Sequence, residues 1–290
     1  MACLFWAAGA GSTPAMAETS EREVLASIRP LALLTEPLLQ GTGYRVKTLL
    51  PASRSPHDYA LRVSDLKTLR SAELLIWLGP AAEPYIDARA PGRKLAILEA
   101  LPPDRLLGDE GHGDHEAHGM FVDPHVWLDP GLAISMTDLI ADQLIQVYPA
   151  QKALIVENRA RLQQDIRRQD EQIRKWLGRS GYGAIFVYHN AYTYFMRRYD
   201  VPLAGVIQEH VGGGGMGLKH LATLQNRARG QTRVCIYSEP QFAKASIPSL
   251  GEGSTLQGRL DPMGTEALTY PQLLGNLARE LQRCGLERRG

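Results

Sequence analysis

From Glu21 onward, short runs of aliphatic and β-branched residues alternate with segments whose apolar positions recur every three or four residues. The runs at 23–28, 44–49, 74–78 and 95–98 predict four strands in the first half of the chain. A helix is predicted over 64–72, where Ser64 and Asp65 are residue types that cap helix N-termini. The rhythm returns at 184–188, 203–207 and 234–237, with helices predicted over 191–199 and 218–229. Strand and helix in alternation give parallel sheets covered by helices on both faces.

Between the two halves lies a polar stretch, 150–177, with no glycine or proline inside it. Ile155, Leu162, Ile166, Ile173 and Leu177 step by 7, 4, 7 and 4, so they share one stripe of a single helix. At about 1.5 Å per residue such a helix is a rod of roughly 42 Å, long enough to run the height of two lobes. The predicted organisation is therefore an N-terminal α/β lobe over 18–149, a linking helix over 150–177 and a C-terminal α/β lobe over 178–290.

Residues 1–17 stand apart. Leu4 to Gly11 is small, apolar and uncharged, and Ala15-Met16-Ala17 is an A-x-A cleavage pattern before Glu18. The segment reads as a secretion signal lacking the usual basic start, so the protein is expected to be exported across the inner membrane, to the periplasm. Cleavage would remove Cys3 and leave Cys235 and Cys284, either a disulfide in an oxidising compartment or two buried thiols. No other apolar run approaches the roughly 20 residues of a membrane span. Lys and Arg number 32 against 31 Asp and Glu, without a basic block, so no face for phosphate backbones is evident and nucleic acid is not expected as a partner. The expected state is a monomer.

The chemistry lies in the histidines. His57 follows the second predicted strand, His125 follows the fourth after a long loop, and His189 ends the strand at 184–188. In open α/β sheets, ligands bind beyond the carboxyl ends of the strands, where loops of two lobes can meet in one cleft. Asp261, in Leu260-Asp261-Pro262, follows the last short apolar stretch and can reach the same place. Three imidazoles and one carboxylate form a tetrahedral set suited to Zn2+ more than to Mn2+, which prefers oxygen. A second group, Asp109 to His118, packs His112, His115 and His118 with four carboxylates into ten residues. Such tracts bind metal loosely, and this one is an auxiliary capture site or simply a hydrophilic loop.

Five motifs occur in order: Ser55-Pro56-His57-Asp58-Tyr59, Asp123-Pro124-His125-Val126-Trp127-Leu128-Asp129-Pro130, Tyr188-His189-Asn190-Ala191-Tyr192, Ser238-Glu239-Pro240-Gln241-Phe242 and Leu260-Asp261-Pro262-Met263-Gly264. Together they resemble the metal-binding solute receptors of ABC importers, of the zinc-uptake (ZnuA) type. The resemblance implies two four-stranded α/β lobes on one rigid helix, with Zn2+ as the carried ligand and a membrane permease as the partner. It gives His57, His125 and His189 the three histidine ligand positions. Manganese receptors tend to carry a carboxylate at the third, so His189 favours zinc. It also matches Cys235 and Cys284 to a disulfide of some zinc-type members.

Three departures stand out. Asn190 replaces a usual Asp, which removes one acidic partner for an imidazole. Pro56 replaces a Glu that serves some members as a ligand, leaving Asp261 or water for the fourth place. The glycines at Gly212 to Gly215, with His210 beside them, match no usual loop and lack the Lys-Ser/Thr of a phosphate loop. His220 is expected on a helix surface, and Glu239 either accepts a bond in the cleft or caps a helix. The competing readings are a manganese or iron receptor or adhesin of the same fold, and a three-histidine zinc hydrolase with Glu239 as general base. No H-E-x-x-H or similar hydrolase signature accompanies the second.

Overall fold

Strands whose side chains leave water on both faces need helices on both sides, and the chain supplies them in alternation. The computed structural model describes residues 23–87, 92–108, 122–178, 181–208, 217–242, 249–250 and 254–286. The first half runs β1 (Glu23–Ala26), α1 (Arg29–Leu38), β2 (Arg45–Thr48), α2 (Val63–Ser71), β3 (Leu74–Trp77), α3 (Pro84–Asp87), β4 (Arg93–Ala96), α4 (Ile97–Ala100) and α5 (Pro130–Val147). Then comes α6 (Lys152–Leu177). The second half runs β5 (Gly181–Tyr182), β6 (Ala184–Val187), α7 (Thr193–Arg198), β7 (Gly205–Val206), α8 (Leu218–Ala228), β8 (Arg233–Ser238), β9 (Ser254–Arg259), α9 (Tyr270–Gln282) and β10 (Gly285–Leu286).

Two all-parallel four-stranded sheets result, in the orders β2-β1-β3-β4 and β7-β6-β8-β9. In both, the second strand lies on one side of the first and the third on the other, so each sheet reverses its winding between its first and third strands. The central strands are apolar throughout: Leu74 to Trp77 in β3 and Ala184 to Val187 in β6 are buried. The edge strand β2 alternates exposed and half-buried positions. A two-residue antiparallel ribbon, β5 with β10, lies apart from the sheets.

Two strand assignments change. The run predicted at 95–98 divides: Arg93–Ala96 is the edge strand, paired from Leu74↔Arg93 to Trp77↔Ala96, and Ile97 and Leu98 begin α4. An edge strand can start in water, so its first residues, Arg93 and Lys94, are exposed and carry no hydrophobic signal. For the same reason β9 (Ser254–Arg259) has no apolar run, although it pairs with β8 along its whole length. The helix predicted at 64–72 starts at Val63. Asp65 sits in its first turn and its Oδ2 accepts the Arg62 N–H at 2.8 Å, while its other partner is the Tyr59 hydroxyl at 2.9 Å.

The linking helix forms as 26 residues, about 39 Å long. All five apolar stripe residues are buried, and Asn158 is buried with them. The Asn158 amide donates to Leu38 O (3.0 Å) and Gln40 O (2.9 Å), satisfying carbonyls that the end of α1 leaves without helical partners. Farther along, Asp170 accepts Arg198 Nη2 at 2.6 Å and the Tyr199 hydroxyl at 2.8 Å, which ties α7 to α6. One apolar core runs across both halves, from Val24 in β1 to Cys284 after α9. A smaller one, around Phe186, Leu224 and Ile236, fills the outer face of the second sheet. Cys235 in β8 is disulfide-bonded to Cys284, with Cα atoms 6.0 Å apart.

Candidate metal centre

His57 and His125 are each set on a short turn by a neighbouring polar side chain, and His189 is held by its ring. Pro56 opens a single 3-10 turn, Pro56–Asp58, and the Ser55 Oγ accepts the His57 N–H at 3.3 Å. Asp123 turns the chain at His125 by accepting its backbone N–H at 2.9 Å, and the same Oδ1 lies 2.8 Å from His125 Nδ1. Behind His125, Val126, Trp127 and Leu128 are buried, and Trp127 Nε1 donates across to Pro262 O at 2.8 Å. His189 stands just past the end of β6, and its Nδ1 is 2.7 Å from Glu239 Oε1, just past the end of β8. β6 and β8 are adjacent, with Val187 opposite Tyr237. His189 and Glu239 therefore occupy the crevice where the second sheet reverses its winding, the place α/β sheets use for ligands.

A ligand atom from each of His57, His125 and His189 falls in one group, all within 4.8 Å of one another. His125 and His189 are 5% and 7% exposed, while His57 is exposed and closes the group from outside. Asp123 and Glu239 are buried carboxylates placed to accept from Nδ1, and in the neutral tautomer that makes this bond Nε2 is the nitrogen that offers a lone pair to a metal. The two Nε2 atoms face each other at 3.4 Å. Unprotonated nitrogens so placed repel one another unless a cation sits between them. Tetrahedral zinc, with bonds of about 2.0–2.1 Å, sets its nitrogen ligands roughly 3.3–3.4 Å apart. The donor set therefore fits the ion. Trp127 packs on His125 and Phe242 on His189, with ring centres 5.2 and 5.4 Å apart, and the space they leave is about 10 Å³. That admits one ion and no organic ligand.

Asp261 is brought near but does not join the group. Its Oδ2 accepts Thr265 N at 2.6 Å, and its Oδ1 accepts Met263 N at 3.2 Å and Gln241 Nε2 at 3.3 Å. The turn it organises needs Gly264, whose φ is +66° and where a Cβ would lie 2.7 Å from Leu273 Cδ1. Gln241 also donates to Ala52 O at 2.7 Å, on the loop that leads to His57. Of the two roles open to Glu239, the imidazole partner is the one observed. Asn190 accepts the Thr193 hydroxyl at 3.0 Å at the start of α7. The acidic partners of the imidazoles are thus Asp123 and Glu239, and sequence reasoning missed Asp123 although it stands two residues before His125. His220 binds Val206 O through Nε2 at 2.9 Å on α8. His112, His115, His118, His210, Gly212 to Gly215 and the predicted signal at 1–17 lie outside the described residues.

Two α/β lobes on one helix, with a group of three imidazoles at their junction, define a cleft-type metal-binding receptor. The family described as zinc-uptake complex component A, periplasmic, matches residues 24–284, and the chain belongs to it. Similar relatives are the high-affinity zinc uptake system proteins ZnuA of Haemophilus ducreyi and Yersinia pestis. Each is 29% identical, the first over 90% of this chain and 93% of its own length, the second over 90% of both. Among solved structures, a crystal structure of ZnuA superimposes with TM-score 0.77 at 22% identity, covering 92% of this chain and all of its own. The periplasmic zinc-binding protein TroA of Treponema pallidum gives 0.74 at 19%, covering 91% and 99%. These two likenesses establish the fold.

Proposed function

We propose that the protein is a periplasmic receptor that captures Zn2+ with His57, His125 and His189 and delivers it to the membrane permease of an ABC importer. The observation that carries this is the pair of Nε2 atoms facing each other at 3.4 Å, each ring held by a carboxylate at Nδ1. Fixing the tautomer orients the ring and makes the imidazole a better donor. The fourth position belongs to Asp261 or to water. For Asp261 to take it, the carboxylate gives up its bonds to Thr265 and Met263. A hydrolase reading finds no support in the geometry, because Glu239 is engaged by His189 and the site has no room for an organic substrate.

The segment 1–17 serves as the export signal, and 109–118 as a stretch that binds metal loosely and captures it for the site. Release follows when docking on the permease changes the coordination of the ion. The test is a competition titration of the metal-stripped protein against a chelator of known affinity, with Zn2+ and Mn2+ in parallel. One tight zinc equivalent is expected, with most of the affinity lost in His189→Ala. Asp261→Ala separates the two candidates for the fourth position, since only a ligand's loss lowers affinity on the scale of His189→Ala. Absence of a tight zinc site, or little change in His189→Ala, overturns the reading. Deletion of 109–118 is expected to remove a weaker second population and slow uptake at limiting zinc.

A further inference from the structure

The zinc site uses two buried carboxylates, Asp123 and Glu239, and the first sheet buries another that it does not use. Glu83 is 0% exposed. Its Oε2 accepts the Ser27 hydroxyl at 2.9 Å and Leu78 N at 2.7 Å. Ser27 follows β1, and Leu78 follows β3, on the carboxyl side of both strands. The two sheets share one strand order, so Ser27 and Glu83 occupy in the first sheet the crevice that His189 and Glu239 occupy in the second. In one lobe a carboxylate at the crevice holds a ligand; in the other it holds a serine.

That serine leads to His57. Ser27 O accepts Leu50 N at 3.0 Å, and Leu50 is the last buried residue before the loop that carries His57. On the far side of His57, the buried Tyr59 lies against Tyr85, with ring centres 6.3 Å apart. Tyr85 is two residues from Glu83, on the short helix α3 that Glu83 leads into. Glu83 is thus connected to both ends of the segment Leu50 to Tyr59. We propose that Glu83 is a positioning residue for zinc binding, clamping this segment through Ser27 and Tyr85 so that His57 meets His125 and His189. The inference rests on the zinc reading above. Burial pushes the Glu83 carboxyl up to about 7, so at neutral pH it exists both with and without its proton, and Oε2 can accept in either form. A glutamine keeps that acceptor; a methionine does not.

The test is a double-mutant cycle on the full chain, reading the affinity for Zn2+ alone against a chelator at neutral pH. Glu83→Met is expected to lower zinc affinity by about 10- to 100-fold, as loss of groups that orient metal ligands does. Glu83→Gln is expected to restore it to near the unsubstituted value. In a His57→Ala background, Glu83→Met is expected to have no further effect, because the ring it positions is gone. Equal losses with and without His57 would show a general loss of structure and overturn the proposal, as would unchanged affinity in a folded Glu83→Met. If Glu83→Met does not fold, Ser27→Ala carries the same cycle: a loss that vanishes without His57 supports the proposal, and any other result overturns it. Should His57→Ala itself leave zinc affinity intact, the ligand assignment fails instead, which keeps the two failures distinct.

Discussion

Replacing Glu83 by glutamine offers a measurement of stability that is independent of metal. The carboxyl is raised from its ordinary 4.5 to about 7, first by burial, against which the bonds from Leu78 N and the Ser27 hydroxyl act in the opposite direction. The folded protein therefore holds this proton more tightly than the unfolded chain does. Below pH 4.5 both states are protonated and the group costs nothing. As the pH rises from 4.5 through about 7 the unfolded chain ionises freely while the folded one resists, and stability is lost; above that range the loss is complete and constant. A rise of that size corresponds to about 3 kcal/mol. Glutamine has no proton to lose, so the stability difference between Glu83→Gln and the unsubstituted protein should shift by about 3 kcal/mol in favour of glutamine between pH 4.5 and pH 8. Urea unfolding of both proteins at half-unit steps, with a chelator present, isolates this term because every other titrating group is shared. A difference that stays constant across the window would refute the reasoning, and one that moves the other way would mean that the hydrogen bonds outweigh burial.

Three further outcomes are expected. Asp123→Asn and Glu239→Gln, which keep an acceptor oxygen but take the negative charge away from Nδ1 of His125 and His189, should each lower zinc affinity by about 10- to 100-fold in the same chelator competition, with the fold retained by circular dichroism. Substituting serine for Cys235 and Cys284 opens a link across 49 positions and should cost on the order of 4 kcal/mol in urea unfolding on the chain-entropy account. Ile166→Ala, at a fully buried position in the middle of α6, should cost about 2–5 kcal/mol through lost burial and the cavity left behind, measured the same way.

Much of this protein is written in short-range signals. The alternation of runs gives the parallel α/β class, and the 7-4-7-4 spacing gives α6 to within two residues at its start, because strand and helix periodicities are properties of neighbouring positions. The three histidines are legible for a related reason: His57 and His125 sit in local turns with a proline and polar residues beside them, and His189 stands just past the end of an apolar strand run. The edge strands β4 and β9 are harder to see, since a strand with one side open to water needs no apolar run.

Partnerships between distant residues are another matter. Glu239 meets His189 across 50 positions and Trp127 meets Pro262 across 135, and no periodicity fixes either. Asp261 has the composition of a ligand, yet its oxygens go to the amides of its own turn, because a carboxylate followed by Pro262, Met263 and Gly264 finds those donors nearer. Glu83 is buried only because the ends of β1 and β3 come together around it and supply Ser27 and Leu78 as its donors. The sequence alone determines the elements and which side chains stand on the turns between them. The tertiary structure decides which of those side chains face each other, because that depends on strand order and on the helix that holds the two sheets in place.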